Sequence, residues 1–555
     1  MSTATSHRRA RSATSAPTAA AGAHLPSPPP GTLPAPTRVA RWRRSRPLTV
    51  LVGCLLAAGV GVVEVLYRMP PVPFDQVNYF DAAWGFPSHS SYISEHQLLR
   101  HGLTVPIRFA QELFGYSQAA YLAVPILAGV LLAVSVYVIG LLLFNRTVGV
   151  AAAVLTVGNS TVFASLTTPL PDTLATALMC GALAVALALR QRRLLVTSTR
   201  VRQIVALLLV GTLLGWSYLA REYMVFCWPL VALMLIRRVR LIRLGWLALP
   251  VVLIVAGESL LNAVAYGDPL ARLHVAAHHG DGPPLSDEPW RNEHLGRSPQ
   301  WYLTRLAAIV GAAPEALWLK AGVAATVIGA FFHRRIGFLL AWALLFYVPL
   351  VTLGGLLDPY HPRLRINVQR YWLPLIPALC LAFVFAVWLL VSNRARVVPF
   401  LRRRTRLCSV IASLAVLAAV AVPVGIAQHA RDTGLTDPYT RYAANGATEL
   451  EDFRSWLRTG SVDTLWANPS TNRVVKIFLN PTFGRPAWDG ELKVWHRVDE
   501  PRPGDHVLLY SARTATCGSC MLHAQNILGK PLRIPASWRL VFQANDRQVE
   551  VYRVR

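Results

Sequence analysis

The chain has 555 residues, of which 54% are hydrophobic and 15% are charged. This composition excludes an ordinary soluble domain and is typical of a protein with many membrane-spanning helices. The formal net charge of +27 would suit a nucleic-acid-binding protein, but the arginines form short clusters between apolar runs. Such spacing orients helices in a membrane, so we expect membrane lipid, and no nucleic acid, as a partner.

The N-terminal segment, residues 1–47, is rich in Ala, Ser, Thr, Pro and Arg and has few large apolar side chains. Such a segment cannot bury enough apolar surface to fold, so we predict a disordered basic tail. No signal-peptide cleavage pattern stands out, and the apolar run at 48–66 is therefore expected to remain as a helix.

Apolar runs long enough to cross a bilayer recur from residue 48 to residue 427. A spanning helix needs about 20 apolar residues, and the runs predict about eleven spans, some of them short. They lie near 48–66, 119–143, 148–166, 173–190, 204–220, 223–236, 244–264, 315–332, 336–355, 371–392 and 407–427.

The arginine clusters fall in alternate loops between these runs, near residues 146, 190–193, 237–240, 334–335 and 402–406. Placing these loops and the tail in the cytoplasm satisfies the positive-inside rule. The odd number of spans then puts the C-terminal region outside. Because the Ala- and Arg-rich composition is associated with GC-rich bacterial genomes, we expect a multi-pass protein of the plasma membrane.

The C-terminal region, residues 428–555, has charges, turn residues and short alternating strands. Asp505–Tyr510 reads as a strand, and Trp538–Phe542 with Val549–Val554 reads as a hairpin. A helix is expected over Thr448–Leu457. We therefore predict a small extracytoplasmic α/β domain.

Cys517 and Cys520 form the only close cysteine pair in the sequence. Outside the cytoplasm a local disulfide is favoured over a catalytic redox pair. The other five cysteines lie in apolar runs and behave as small hydrophobic residues.

The acids and bases that topology leaves unexplained collect in the predicted outer loops. Carboxylates there could act as bases, and arginines could bind a phosphate with their rigid fork. The alternatives are ordinary ones: solvated loop residues, a helix cap at Asp172, or interfacial snorkelling of Arg370. The candidates are Asp75, Asp81, Asp172, Arg221, Glu222, Asp358, Tyr360, His361, Arg363, Arg365 and Arg370.

An enzyme working on the outer face has no nucleotide sugar or ATP at hand. It must draw its activated donor from the membrane, and a phosphate-bearing lipid meets that need. This is an expectation from location rather than from any motif.

Eight short stretches, in this order, resemble the motifs of the GT-C membrane glycosyltransferases, in the branch with protein O-mannosyltransferases and bacterial lipid A aminoarabinose transferases. The resemblance extends over residues 48–392. It implies an all-α polytopic bundle, with residues 48–427 as a catalytic domain. The stretches are Asp75–Ala83, Leu113–Gly115, Pro125–Gly129, Leu143–Arg146, Leu170–Asp172, Gly215–Glu222, Asn262–Pro269 and Arg370–Pro374.

The resemblance also implies a reaction, in which a sugar passes from a polyprenyl-phosphate donor to a hydroxyl of an acceptor glycan, glycolipid or protein. Asp75 would be the general base, and Asp172 would orient the acceptor or support the base. Arg221 and Arg370 would stabilise the departing phosphate. The other substrate-binding candidates are Asp81, His101, Glu222, Tyr360, His361 and Tyr371.

A metal site is weakly indicated. Gln76 stands where many family members have Glu, which argues against a metal-assisted mechanism, although a divalent metal stays open as a cofactor. The loop from His274 to His294 contains several His, Asp and Glu residues, but their spacing is irregular. A mobile loop over the site is favoured there.

Two other classes of function stay open at this point. A transporter or flippase of a lipid-linked sugar would also need acids and arginines near a lipid phosphate. A non-catalytic membrane scaffold would present the C-terminal domain and would not depend on Asp75.

Overall fold

The computed structural model describes residues 38–66, 71, 75–87, 95–191, 200–236, 239–277, 295–312, 316–392, 450, 452–459, 462–479, 488–511, 517–544 and 547–555. The chain divides into two compact units, Met1–Val50 and Leu51–Arg555. In the first unit, the described residues, 38–50, are helical. The predicted span at 407–427 and the acidic and histidine-rich segment at 278–294 lie outside the described residues.

The part before residue 393 is helical. Its α-helices are α1 (Arg38–Leu66), α2 (Asp75–Gly85), α3 (Glu95–Leu98), α4 (His101–Phe114), α5 (Gln118–Leu143), α6 (Arg146–Val157), α7 (Ser160–Ser165), α8 (Pro171–Arg190), α9 (Arg200–Ala220), α10 (Trp228–Ile236), α11 (Leu241–Tyr266), α12 (Ala271–Ala277), α13 (Pro299–Ala312), α14 (Ala316–Phe332), α15 (Arg334–Val351) and α16 (Ile376–Ser392). Tighter or wider turns occur at Glu222–Cys227, Thr352–Leu356 and Gln369–Leu375.

Within the described residues, seven helices are long and apolar enough to cross a membrane, and three shorter apolar helices accompany them. These ten coincide with the first ten predicted spans, which confirms a polytopic membrane bundle. The seven are Pro47–Leu66, Gln118–Leu143, Pro171–Arg190, Arg200–Ala220, Leu241–Tyr266, Arg334–Leu356 and Gln369–Ser392. The total number of spans stays a prediction.

Three details differ from the sequence prediction. Helix α1 begins at Arg38 rather than at residue 48, so it overlaps the predicted tail. The predicted span at 148–166 is broken after Val157, because the Asn159 side chain accepts a hydrogen bond from the Val162 amide and starts a new helix. The predicted loop at 67–118 contains α2, α3 and α4.

Helix α8 lies at the centre of the bundle and packs against α5 and α9. Within its most apolar 18-residue window, 83% of the residues are buried. Alanine is frequent along α8, and small side chains allow membrane helices to approach closely. The first residues of α8 therefore lie deep inside the protein, where Asp172 is fully buried.

A glycine brings α4 against the end of α9. A Cβ on Gly102 would lie only 2.2 Å from the backbone nitrogen of Ala220, so the helices can meet this closely only at glycine. The Trp216 indole donates a hydrogen bond to the Gly102 carbonyl at 3.0 Å. This contact places the start of α4 beside Arg221 and Glu222.

The C-terminal region forms the predicted small α/β domain. Its elements are β1 (Thr464–Ala467), α17 (Pro469–Leu479), β2 (Glu491–Val494), β3 (His506–Tyr510), α18 (Gly518–Leu528), β4 (Trp538–Gln543) and β5 (Val549–Val554). The five strands form one sheet in the order β2-β1-β3-β5-β4. The first three strands are parallel, and β5 pairs antiparallel with both β3 and β4.

The structure confirms the hairpin of β4 and β5 and the helix near 448–457, which appears at 452–459. Cys517 and Cys520 form a disulfide at the start of α18, as predicted. The strands β1 and β2 have four residues each and were not predicted.

Candidate functional site

Four charged side chains meet where α2, α8, α9 and the turn before α16 come together. Asp75 begins α2, and Asp172 is the second residue of α8. Arg221 follows α9, and Arg370 lies in the turn Gln369–Leu375. We call these four residues the site cluster.

Asp75 is held on both carboxylate oxygens. Its Oδ2 accepts a hydrogen bond from Arg370 Nη2 at 2.6 Å, and its Oδ1 accepts one from Gln97 Nε2 at 2.8 Å. Burial raises the pKa of Asp75, but the charge and hydrogen bond of Arg370 outweigh it and leave the pKa below its usual range. Asp75 is therefore ionised at neutral pH.

Asp172 is fully buried and connects the two arginines. Its Oδ1 lies 2.8 Å from Arg221 Nε and accepts a hydrogen bond from the Tyr223 hydroxyl at 3.1 Å. Its Oδ2 lies 3.6 Å from Arg370 Nε. The N-cap residue of α8 is Leu170. Asp172 is therefore a buried ion-pair partner and not the helix cap that its position allowed.

Arg221 lies against two aromatic rings. Its guanidinium carbon is 4.6 Å from the Tyr371 ring centre and 5.5 Å from that of Tyr223. Such cation–π contacts hold the guanidinium group in place while leaving its N–H groups available. Within the described residues, Arg221 Nη2, Arg370 Nε and Asp172 Oδ2 are buried and make no hydrogen bond.

A second group of charges lies beside the first. Glu222 accepts from Arg100 Nη1 at 2.5 Å and from Arg272 Nε at 3.1 Å. Arg272 Nη1 also donates to Glu258 of α11 at 2.7 Å. We call Arg100, Glu222, Glu258 and Arg272 the supporting cluster.

A cavity of about 320 Å³ opens beside the supporting cluster, and Arg221 is the residue of the site cluster that contributes to its wall. Four arginines and one glutamate contribute to its wall, so its charge is positive. Guanidinium groups match the oxygens of a phosphate, and a cavity of this size suits a small ligand or the head group of a larger one. The arginines are Arg100, Arg221, Arg272 and Arg363.

The other sequence candidates lie in different surroundings. Asp81 is on α2 and accepts hydrogen bonds from the Tyr116 hydroxyl and from Arg473 of the C-terminal domain. His101 Nε2 lies 2.9 Å from Asn262 Oδ1, and burial lowers the pKa of this histidine.

Tyr360 and His361 lie on an exposed loop, where both backbone amides donate to the Asp358 carboxylate. Glu222 and Tyr371 line the cavity together with Arg221. Ten residues were assigned to catalysis or substrate binding by the family resemblance, and the structure brings six of them together: Asp75, Asp172, Arg221, Glu222, Arg370 and Tyr371.

Sequence reasoning missed several residues that contact the site. Arg272 carries a signal that could have found it, since it follows the family-like stretch Asn262–Pro269 by three positions, and Arg100 is an arginine in a predicted outer loop. Gln97 is an uncharged amide in a predicted loop and carries no such signal, whereas Asn78 lies within the family-like stretch Asp75–Ala83 but has no charge to mark it. Among the described residues, no group of three or more His, Cys, Asp or Glu side chains could hold a metal ion.

Residues 105–259 match the model of a family described as dolichyl-phosphate-mannose-protein mannosyltransferase. The predicted resemblance to the GT-C membrane glycosyltransferases is confirmed. The match includes Asp172, Arg221, Glu222 and Glu258, so part of each cluster lies inside the GT-C-like segment. It supports a glycosyltransferase.

Solved structures of GT-C glycosyltransferases are similar to this chain at low identity. ArnT from Cupriavidus metallidurans bound to undecaprenyl phosphate is 13% identical, with a TM-score of 0.48, and the match covers 91% of this chain and 97% of that one. The Archaeoglobus fulgidus oligosaccharyltransferase in the apo form is 13% identical, with a TM-score of 0.45, and the match covers 78% of this chain. It spans 63% of the length of that oligosaccharyltransferase. No curated protein sequence matches the chain.

Proposed function

We propose that the protein transfers a sugar from a polyprenyl-phosphate donor to an acceptor hydroxyl on the extracytoplasmic face of the membrane. The observation that carries this proposal is the site cluster: an ionised carboxylate, Asp75, is joined through Arg370 to buried Asp172 and Arg221. The name of the matched family, which couples dolichyl phosphate to mannose, supports the choice of donor.

In the proposed reaction Asp75 is the general base. The acceptor oxygen forms a bond to the anomeric carbon while its proton moves to the Asp75 carboxylate. The bond between that carbon and the phosphate oxygen breaks, and its electron pair stays on the lipid phosphate. Arg221 and Arg370 stabilise the charge that grows there. Asp75 then returns its proton to water.

Arg370 has two tasks in this mechanism. Without a donor it pairs with Asp75 and keeps the pKa of that carboxyl low. When the phosphate of the donor also pairs with Arg370, the arginine stabilises the Asp75 carboxylate less. The pKa of Asp75 then rises, and the carboxylate becomes a stronger base. Donor binding would therefore activate the base at the moment when it is needed.

Asp172 positions the two arginines. It is fully buried and lies 2.8 Å from Arg221 Nε and 3.6 Å from Arg370 Nε. A carboxylate at the bundle core is costly unless paired, and these pairs fix the arginines relative to Asp75. The acceptor, which is a glycan, a glycolipid or a protein, would enter beside Asp75, whose side chain is 32% exposed.

The proposed location is the plasma membrane, with a cytoplasmic N-terminus and an extracytoplasmic C-terminal domain. The alternation of arginine clusters supports this orientation. The Cys517–Cys520 disulfide agrees with an oxidising compartment. A single cysteine placed at Asp499, whose side chain is 80% exposed, with exposed Cys54 replaced by serine, should react with an impermeant thiol reagent in intact cells. Protection of that cysteine would contradict the orientation.

One observation favours a transporter as the second candidate. Glu64 of α1 is fully buried, and neither of its carboxylate oxygens has a hydrogen-bond partner among the described residues. Buried acids inside membrane helices often belong to ion or proton pathways.

An assay in proteoliposomes separates the two functions. The full-length protein is given radiolabelled polyprenyl-phosphate mannose, and in parallel the arabinose donor, together with a membrane extract as acceptor. If the protein is a transferase, the label should leave the lipid fraction at a rate proportional to the amount of protein. Empty liposomes provide the background. Label that crosses the bilayer while still attached to its lipid would contradict transfer and support transport.

A further inference from the structure

A chain of three side-chain hydrogen bonds runs from the C-terminal domain to Asp75. Arg473 Nη2, on α17, donates to Asn78 Oδ1 at 2.6 Å. Asn78 Nδ2 donates to Gln97 Oε1 at 3.0 Å. Gln97 Nε2 donates to Asp75 Oδ1 at 2.8 Å. The chain joins residues that are 398 positions apart in the sequence, from 75 to 473.

The direction of this chain is fixed by its two ends. A guanidinium group can only donate, and an ionised carboxylate can only accept. Asn78 must therefore turn its oxygen towards Arg473, and Gln97 must turn its nitrogen towards Asp75. Each amide uses its donor and its acceptor, and Gln97 is buried. The charge of Arg473 polarises the bonds in one direction, towards Asp75.

Arg473 donates hydrogen bonds to two residues of α2. Its Nε donates to Asp81 Oδ2 at 2.9 Å, while Nη2 binds Asn78 one turn earlier on the same helix. Asp81 is also fixed by the Tyr116 hydroxyl. The fork of one arginine therefore sets the rotation of the helix that begins with Asp75.

Two neighbours of Arg473 on α17 contact the same part of the bundle without joining the hydrogen-bond chain. Ile477 is fully buried in a cluster that includes Val77 and Phe80 of α2. Lys476 lies with its amine 4.6 Å from the Tyr116 ring centre. Packing and hydrogen bonding can thus be tested separately at this contact.

We propose that Arg473 is a positioning residue for the base Asp75, and that Asn78 and Gln97 connect the two. The C-terminal domain then controls the rate of transfer by holding the Asp75 carboxylate in its reactive orientation. This inference rests on the proposed function, because it takes Asp75 as the base.

Loss of the hydrogen-bond chain from Arg473 has two consequences for Asp75. The carboxylate keeps its hydrogen bond to Arg370 on Oδ2 but is positioned less firmly at Oδ1, and a misplacement of about 1 Å costs up to about 100-fold in rate. The hydrogen bond that Gln97 donates to the charged form of Asp75 also weakens, because Gln97 is no longer held by Asn78, and a weaker bond raises the pKa of Asp75. The acid side of the pH–rate profile then moves to higher pH, which a general loss of folded protein would not cause.

The test uses the full-length protein in proteoliposomes with whichever radiolabelled donor, mannose or arabinose on polyprenyl phosphate, the wild type accepts. Arg473→Gln should lower kcat by about 10- to 100-fold, leave the KM for the donor within a few-fold, and move the acid limb to higher pH. Lys476→Met is the matched control, since it weakens the contact of α17 with the bundle but leaves the hydrogen-bond chain to Asp75 intact. The pH–rate profile of this variant should not move.

Asn78→Asp interrupts the chain at its centre. The new carboxylate still accepts from Arg473 but cannot donate to Gln97, so docking is kept while the connection is lost. We expect the same fall in kcat as for Arg473→Gln. This variant decides the question if Arg473→Gln does not fold.

Two outcomes would overturn the inference. One is wild-type kcat and pH profile in both chain variants while Asp75→Asn is inactive. The other is a fall in transfer that matches the loss of folded protein in each variant, with no movement of the acid limb. If Asp75→Asn itself transfers normally, the proposed function fails instead, and the two failures are thereby distinguished.

Discussion

The site cluster and the supporting cluster lie side by side, and both pair buried acids with arginines, yet they differ in how fully the pairs are satisfied. Arg272 of the supporting cluster gives all three guanidinium nitrogens to acceptors: Glu222, Glu258 and the Tyr218 carbonyl. Arg221 Nη2 and Arg370 Nε of the site cluster have no hydrogen bond among the described residues.

An unsatisfied buried donor costs about 1–3 kcal/mol, more for a charged group. The site cluster carries this cost at two arginines that face the same buried Asp172. In the supporting cluster the buried donor without a hydrogen bond, within the described part of the chain, is Arg100 Nε, and Arg100 lines the cavity. Under the proposed function, the unsatisfied donors of the site cluster would receive the phosphate of the donor, whereas the supporting cluster holds the helices together and lines the cavity with three of its residues.

Among substitutions that test the difference between the two clusters, the largest fall in transfer rate is expected at Arg221. Arg221→Gln removes a buried positive charge, and in the proposed mechanism that charge stabilises the leaving phosphate. Loss of one such donor costs about 100- to 1,000-fold in rate, so sugar transfer should fall by that factor in a proteoliposome assay. Arg497→Gln, which changes an exposed arginine of the C-terminal domain, is the matched control. Equal rates in the two variants would remove Arg221 from the site.

A stability effect is expected at the supporting cluster. Glu258→Gln leaves Arg272 with one charged partner fewer in a buried network. Breaking a buried pair costs about 3–5 kcal/mol, so the melting temperature of the detergent-purified protein should fall clearly. Transfer per folded molecule should change much less than in Arg221→Gln. A variant that melts normally but loses transfer would reverse the roles assigned to the two clusters.

The smallest effect is expected outside both clusters, at the disulfide. Cys517 and Cys520 are three positions apart, and a loop this short gains only about 2 kcal/mol from chain entropy. The double variant Cys517→Ser with Cys520→Ser should melt slightly earlier and transfer at the wild-type rate. A loss of transfer as large as that of Arg221→Gln would show that the C-terminal domain depends on this bond for its contact with α2.

Much of the bundle was predictable because hydropathy reports spans directly. The sequence also predicted Asp75, Asp172, Arg221 and Arg370, since isolated charges next to apolar runs are conspicuous. Their ion pairs were beyond reach, because Asp75 and Arg370 are 295 positions apart and meet only when the fold brings α2 beside the turn Gln369–Leu375.

The helices of the predicted loop at 67–118 were missed for a physical reason. Helix α4 buries one face, including Leu103 and Ile107, and exposes Phe109 and Leu113 on another. Its mixture of polar and apolar residues gives no continuous apolar run. Asn78 and Gln97 were missed because an uncharged amide gains a role only from the groups at its two ends.

The central claim is that Asp75 removes the acceptor's proton while Arg221 and Arg370 hold the donor. Asp75→Asn keeps the shape of the side chain and removes its charge, so its transfer rate and its donor affinity should separate. We predict that transfer falls by at least about 100-fold, the lower range for general-base catalysis.

The direct measurement is single-turnover transfer from a radiolabelled polyprenyl-phosphate sugar, together with binding of the same donor, in wild type and Asp75→Asn. We predict donor binding within a few-fold of wild type and transfer reduced by about 100-fold or more in Asp75→Asn. Near-normal transfer by folded Asp75→Asn would contradict it.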